Sequence, residues 1–289
     1  MHGEPNLPFR WDLVTPDQVG SLLSGAAPPD LWFLEHLVAC AGKVVARSGD
    51  GDLFFVGRSL DSMFDLISGA FDGRRAVRRL PLSFARERVG TPPRSRQRPL
   101  TPGEQAQLRR IMGTLDLTPR ALARRARPAT FVDVVAEGRT FSELFTLLRD
   151  WTDEDREPWS VIRRKLHFIG VTAQEKTSPN TYRWQQHAPW TTQLPAKSVI
   201  NVSLHWMVWG YLAGNQIKLT RTFRPDRWLA EAAGPERGEQ TREALAEAAA
   251  LVAYGRSRTG RQALARVIVE EPTMSQSWLR AVVTLLNGG

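Results

Sequence analysis

The sequence predicts an α/β fold built on a mostly parallel central sheet. Short apolar runs alternate along the chain with longer segments of helical periodicity. The runs are continuously apolar rather than alternating, which is the pattern of strands buried on both faces. With 289 residues and 42% apolar side chains, the chain has enough material for a sizeable core.

The elements follow in order. Residues 1–28 are rich in turn signals, with a short helix expected over 16–23. Pro29 and Asp30 open a helix to about residue 45, with Leu31, Leu34, Leu37 and Val38 at helical spacing. A turn at 48–51 leads to a strand at 53–56, a loop at Gly57-Arg58-Ser59, and a helix over 61–68 that Gly69 is expected to stop. A second strand is expected at 80–84. The stretch 85–102 is basic and Pro-rich and reads as an exposed, mobile loop. Two short helices fit 102–127, a third strand 130–135, an amphipathic helix 141–151 and a fourth strand 166–171. Residues 180–223 are rich in Trp and Tyr, with further strands expected at 199–204 and 217–223. Helices over 239–254, 260–269 and 275–286 close the chain. The division that results is an N-terminal helical extension (1–50), an α/β core with an aromatic-rich hood (51–223) and a C-terminal helical appendix (224–289).

Composition excludes several classes. The 39 basic and 30 acidic residues give a net charge of +9, and 34 of the basic residues are Arg. Arg suits phosphate and carboxylate ligands because its planar fork makes paired hydrogen bonds. Cys40 is the one cysteine, which excludes a disulfide framework within the chain and a Cys-based zinc site. Its apolar neighbours mark it as a buried, inert thiol. The five histidines show no close metal-ligand spacing. No apolar stretch reaches the roughly 18 residues that span a bilayer, and the first residues carry no signal-peptide pattern. The expectation is a soluble, cytoplasmic protein with no membrane association, its oligomeric state left open.

The chemistry is concentrated in residues 131–141, Phe-Val-Asp-Val-Val-Ala-Glu-Gly-Arg-Thr-Phe. An apolar strand carries Asp133 near its carboxyl end, a short loop follows with Gly138 and Thr140, and a helix begins. In parallel sheets ligands bind outside the carboxyl ends of strands. Successive loop amides leading into a helix N-terminus make an anion site. Gly138 permits close approach of the backbone, Thr140 offers a hydroxyl, and Arg139 offers charge.

This segment resembles the PRPP-binding motif of type I phosphoribosyltransferases, in which an apolar strand, two acids and a Thr-Gly-x-Thr loop follow one another. Asp133 matches the second acid, and Gly138 and Thr140 match the end of the loop. Val132 stands at the first acid, and Glu137 stands where the family has Thr. The earlier segment 54–61 resembles the family's pyrophosphate loop, placed between a strand and a helix. The basic stretch falls where the family's flexible covering loop lies.

The resemblance implies the phosphoribosyltransferase type of sheet. It also implies a PRPP- and Mg²⁺-dependent transfer of 5-phosphoribosyl to a small acceptor, with release of pyrophosphate. On that reading Asp133 holds the ribose hydroxyls, directly or through Mg²⁺. Arg58, with Gly57, Ser59 and Leu60, meets the pyrophosphate, and Glu137, Gly138, Arg139 and Thr140 surround the phosphate. Arg86, Arg88 and Arg94 belong to the covering loop. His205, Trp206 and Trp209 are candidates for an acceptor wall, since flat heterocycles stack on aromatic rings. Glu137 and His205 are both candidates to deprotonate an acceptor.

Two readings from other classes stand beside this one. A phosphoribosyltransferase-fold regulator or nucleic-acid-binding protein fits the pI of about 10.5 and the Arg-rich segments 74–98 and 109–127, although no RNP, KH, zinc-finger or helix-turn-helix signature supports it. An interaction protein with a vestigial site would use the C-terminal helices as its partner surface.

Overall fold

Five parallel strands form one sheet in the order β2-β1-β5-β6-β7, in a computed structural model that describes residues 7–15, 18–90, 96–174, 184–230, 234 and 237–288. The strands are β1 (Asp52–Val56), β2 (Val77–Leu80), β5 (Ala129–Val134), β6 (Leu166–Gln174) and β7 (Val199–His205). Two further strands, β3 (Arg88–Val89) and β4 (Arg96–Gln97), pair antiparallel as a separate hairpin. The helices on the amino-terminal side of β5 are α1 (Leu34–Ala46), α2 (Asp61–Phe71), α3 (Pro102–Thr114) and α4 (Pro119–Arg124). Those after it are α5 (Arg139–Glu154), α6 (Trp159–Ile162), α7 (Trp206–Gly210), α8 (Pro225–Trp228), α9 (Glu239–Arg256), α10 (Arg258–Val269) and α11 (Ser277–Asn287).

Side-chain alternation along the central strands divides the core into two layers. Leu53, Phe55 and Val132 face one layer, built with α1, α2, α9, α10 and α11. Phe54, Val56, Phe131 and Phe168 face the other, built with α3, α4, α5 and α6. Both faces of the central strands are thus covered, which is why β1 and β5 read as near-continuous apolar runs, whereas the edge strands β2 and β7 carry polar residues. Helices α1, α9, α10 and α11, from segments 1–50 and 224–289, supply one of these layers together with α2, while Trp228 of α8 packs in the other. Helix α1 packs on β7, α2 and α10, and α9 lies along α2.

The α2–α9 contact explains Gly69. The helix does not stop there but continues to Phe71, where Asp72 adopts the left-handed conformation with φ 47°. A Cβ on Gly69 would lie 2.2 Å from the Val252 carbonyl, and one on Gly255 would lie 2.2 Å from the Leu66 carbonyl. The glycines let the two backbones touch.

Three other expectations are corrected. The second strand is Val77–Leu80 rather than 80–84, because the chain turns out of the sheet after Leu80, where the Leu82 amide donates back to the Leu80 carbonyl. Residues 217–223 form no strand. They run irregularly, fixed by side-chain and backbone bonds to β1 and β2 loops instead of by a ladder. The basic stretch is exposed as expected at Arg88 and Val89 but is not a bare loop among its described residues: β3 pairs with β4, and Arg86 donates to the Arg98 carbonyl at 2.7 Å and to Glu143 at 2.8 Å. Arg94 lies outside the described residues.

Candidate functional site

In this strand order the chain runs from β1 outward to β2 on one side and from β5 outward through β6 and β7 on the other. The direction of winding therefore reverses between β1 and β5, and ligands of open α/β sheets bind in the crevice at such a point. The loop after β1 carries Gly57, Arg58 and Ser59. The loop after β5 carries Glu137, Gly138, Arg139 and Thr140. Both lie at the carboxyl ends of adjacent strands that pair directly, Phe55 opposite Val132.

A pocket of about 180 Å³ opens between them. It is lined by Gly57, Arg58 and Ser59 from the first loop, Asp133 and Thr140 from the second strand and loop, and Arg79 from β2. Residues 81–83 and 220–223 complete its wall. A second hollow of about 320 Å³ is lined by residues 134–141 alone. Thr140 belongs to both, so the two hollows adjoin beside Asp133.

Local geometry follows from the residues. Gly57 has φ 70° and Gly138 φ 74°, conformations that a side chain strains. At Gly138 a Cβ would also lie 2.3 Å from the buried Trp184 ring. Gly138 is the N-cap of the 16-residue α5, so the helix end faces the second hollow. Glu137 and Arg139 pair with each other, both well exposed. The carboxylate is thereby neutralised on the rim and does not oppose an anion in the hollow. Leu60 opens α2 with its side chain in the core.

Asp133 is buried, and burial pushes its carboxyl up to about 8 against the Val134 amide, the Thr140 hydroxyl and the charge of Lys218. The Val134 amide donates to its Oδ1 at 2.8 Å. Val132 packs in the core layer of α1 and α2. Arg58 and Arg79 are both held below the usual guanidinium range by burial. Arg58 donates to the Thr220 carbonyl at 2.9 Å, and Arg79 donates to Asp61 at 2.9 Å and to the Thr220 hydroxyl at 3.1 Å. The pocket lining holds Arg58, Arg79 and Arg221 against the lone carboxyl of Asp133, a balance that favours an anionic ligand.

Behind the pocket, Asp61 is shared by Arg79 and Arg10, and Arg10 also pairs with Asp65. Burial pushes the Asp65 carboxyl up to about 6, with Arg10 opposing the shift. Lys218 donates to the Ser59 carbonyl at 3.0 Å and is brought down to about 8 by burial.

The structure thus joins Arg58, Gly57, Ser59, Asp133 and Thr140 in one pocket and places Glu137, Gly138 and Arg139 in the adjoining hollow. It does not bring the aromatic candidates there. His205 ends β7, its ring stacked on His36 at 4.5 Å, and Trp206 lies exposed beside it. Trp209 donates to the Val171 carbonyl at 2.8 Å. None of the three lines the pocket. Trp184 and Trp190, also from the aromatic-rich segment, are core residues against Phe141 and Phe145. Arg88 sits in the exposed hairpin.

Sequence reading missed Arg79, Lys218 and residues 220–223. Arg79 had a signal, since it stands near the carboxyl end of a strand next to β1. The others are brought in by an irregular segment whose course no local pattern announces. Among the described residues no group of three or more His, Cys, Asp or Glu is placed to hold a metal, and no helix is long and apolar enough to cross a membrane. Comparison with protein-family models, with curated proteins and with solved structures finds no match to this chain.

Proposed function

We propose that the chain is a PRPP-dependent phosphoribosyltransferase of the type I kind, acting on a small acceptor. One observation carries the reading. Two anion-suited hollows, each including a strand-to-helix loop, share Thr140 beside Asp133 on the switch point of a parallel sheet. A ligand with a phosphate at one end, a diphosphate at the other and a hydroxyl-bearing sugar between has this outline. The 5′-phosphate belongs in the hollow of residues 134–141, the ribose hydroxyls against Asp133, and the diphosphate against the 57–59 loop with Arg58 and Arg79.

In the transfer, the bond from C1′ to the diphosphate oxygen breaks and a bond from C1′ to the acceptor forms, and the acceptor gives up its proton. Arg58 stabilises the charge that gathers on the departing pyrophosphate. Positive charge develops on the ribose ring meanwhile, as in glycosyl transfer generally. Asp133 faces that charge, and an approaching cation draws its carboxyl toward the ionised form. With one carboxyl in the lining, the residues fit Mg²⁺ as an ion carried in on the diphosphate rather than as a resident metal, consistent with its preference for phosphate and water ligands.

Calorimetric titration of PRPP with and without Mg²⁺ tests the reading. Saturable, Mg²⁺-dependent binding is expected, followed by pyrophosphate release when the right acceptor is supplied. Absence of binding at millimolar PRPP, with nucleobases present as well as absent, would overturn it. Steeply salt-dependent binding of nucleic acid in its place would favour a regulator of the same fold.

A further inference from the structure

Residues 216–224 cross the carboxyl ends of β1 and β2 without joining the sheet. Several bonds tie them to the loop after β1 and to β2 and its following loop. Lys218 Nζ donates to the Ser59 carbonyl at 3.0 Å. Arg58 donates to the Thr220 carbonyl at 2.9 Å. Arg79 donates to the Thr220 hydroxyl at 3.1 Å. The Ser83 amide donates to the Phe223 carbonyl at 2.9 Å. Thr220 and Phe223 face the pocket, whereas Lys218 is not part of its lining and takes hold of the 57–59 loop from behind.

Lys218 is itself fixed. It donates to Gln216, whose amide donates to Ser62 at 2.6 Å on α2 and to Glu247 on α9. Tyr211 donates to the same Glu247 at 2.8 Å. A part-buried ammonium held by two oriented acceptors is an ordered strut rather than a waving surface chain, and a bond from a charged donor is stronger than one between neutral groups. Backbone carbonyl and amide of one peptide point in opposite directions. A strut on the Ser59 carbonyl therefore sets where the following amide points. That amide belongs to Leu60, the residue that opens α2.

We propose that Lys218 is a positioning residue that holds the 57–59 loop, through the Ser59 carbonyl, in the shape that receives the diphosphate. The inference rests on the transferase reading above. It assigns the loop's ligand-receiving shape to a segment some 160 residues further along the chain.

The test uses two probes on the full chain: inorganic pyrophosphate with Mg²⁺ for the 57–59 loop, and ribose 5-phosphate for the hollow of residues 134–141. In K218M, pyrophosphate should bind about tenfold more weakly, the loss of one charged hydrogen bond. Ribose 5-phosphate should bind within about twofold of wild type, which also reports that the variant is folded. K218R, which keeps a charged donor, should recover most of the loss. Should K218M fail to fold, K218Q serves in its place with the same expectation. The loss should persist in about 1 M salt, where through-space attraction is screened. Equal pyrophosphate affinity in wild type and K218M would overturn the role of Lys218 alone. So would an equal loss of both probes, or a deficit that vanishes in high salt. Failure of wild type to bind either probe would instead overturn the transferase reading, and the inference with it.

Discussion

Replacing Asp133 with Asn should stabilise the free protein while weakening its site. The carboxyl is buried at the end of β5 and stands at about 8, against an ordinary value of 3.8. The folded state therefore retains a proton that the unfolded state releases as pH rises above about 4. Stability is full below that point and is lost progressively until the folded-state group itself ionises near 8. Each unit of difference corresponds to about 1.36 kcal/mol. The cost reaches about 4 kcal/mol at pH 7 and approaches about 6 kcal/mol above pH 8. Asn removes this cost but must bury an amide, which takes back about 1–2 kcal/mol. The net gain should be near zero at pH 5 and about 2–3 kcal/mol at pH 7. Urea denaturation of both proteins at pH 5, 7 and 8, in the presence of EDTA, measures it. Asp65 and His167 titrate in both proteins, so their contributions cancel in the difference. A difference that is the same at pH 5 and pH 8 would refute the reasoning, whatever its sign. The same variant should bind PRPP more weakly, because Asn supplies no charge to the ribose and its metal.

Two further predictions concern the frame of the site. Gly138→Ala should cost about 2–4 kcal/mol, from a side chain forced to φ 74° and from its overlap with Trp184; the shift in urea midpoint and a change in tryptophan emission would report it. Arg10→Met strands Asp65 and half-strands Asp61 in the interior, so it should destabilise by about 3–5 kcal/mol at pH 7. That loss should shrink at pH 5, since the Asp65 carboxyl, already pushed up to about 6, is then protonated and needs no partner; thermal unfolding at the two pH values checks both the size and the direction.

The residues themselves show why some of this was legible in sequence and some was not. β1, β5 and β6 announce themselves because strands covered on both faces need near-continuous apolar runs, whereas β7, at the sheet edge, shows through its β-branched residues Val199, Ile200 and Val202. The two loops at the switch point were legible for a related reason. A parallel strand must end, turn and enter a helix within a few residues, so Gly57 and Gly138 and the polar groups around them fall at fixed short distances from the strands. The strand expected at 217–223 has the right residues too, but a strand needs a free neighbouring edge, and this segment lies over the strand ends rather than beside β7. The aromatic-rich segment looked like a binding wall because composition cannot tell a ring that packs on Phe141 from one that faces a ligand.

Sequence alone determined that this protein has a parallel sheet with short glycine-bearing strand-to-helix loops, since those depend on patterns a few residues long. Tertiary structure alone decided which of its charges meet. Arg10, Arg58, Arg79, Asp61, Asp133 and Lys218 come from five separate stretches of chain. Their protonation, pairing and orientation are set by burial and by neighbours that only the folded chain supplies.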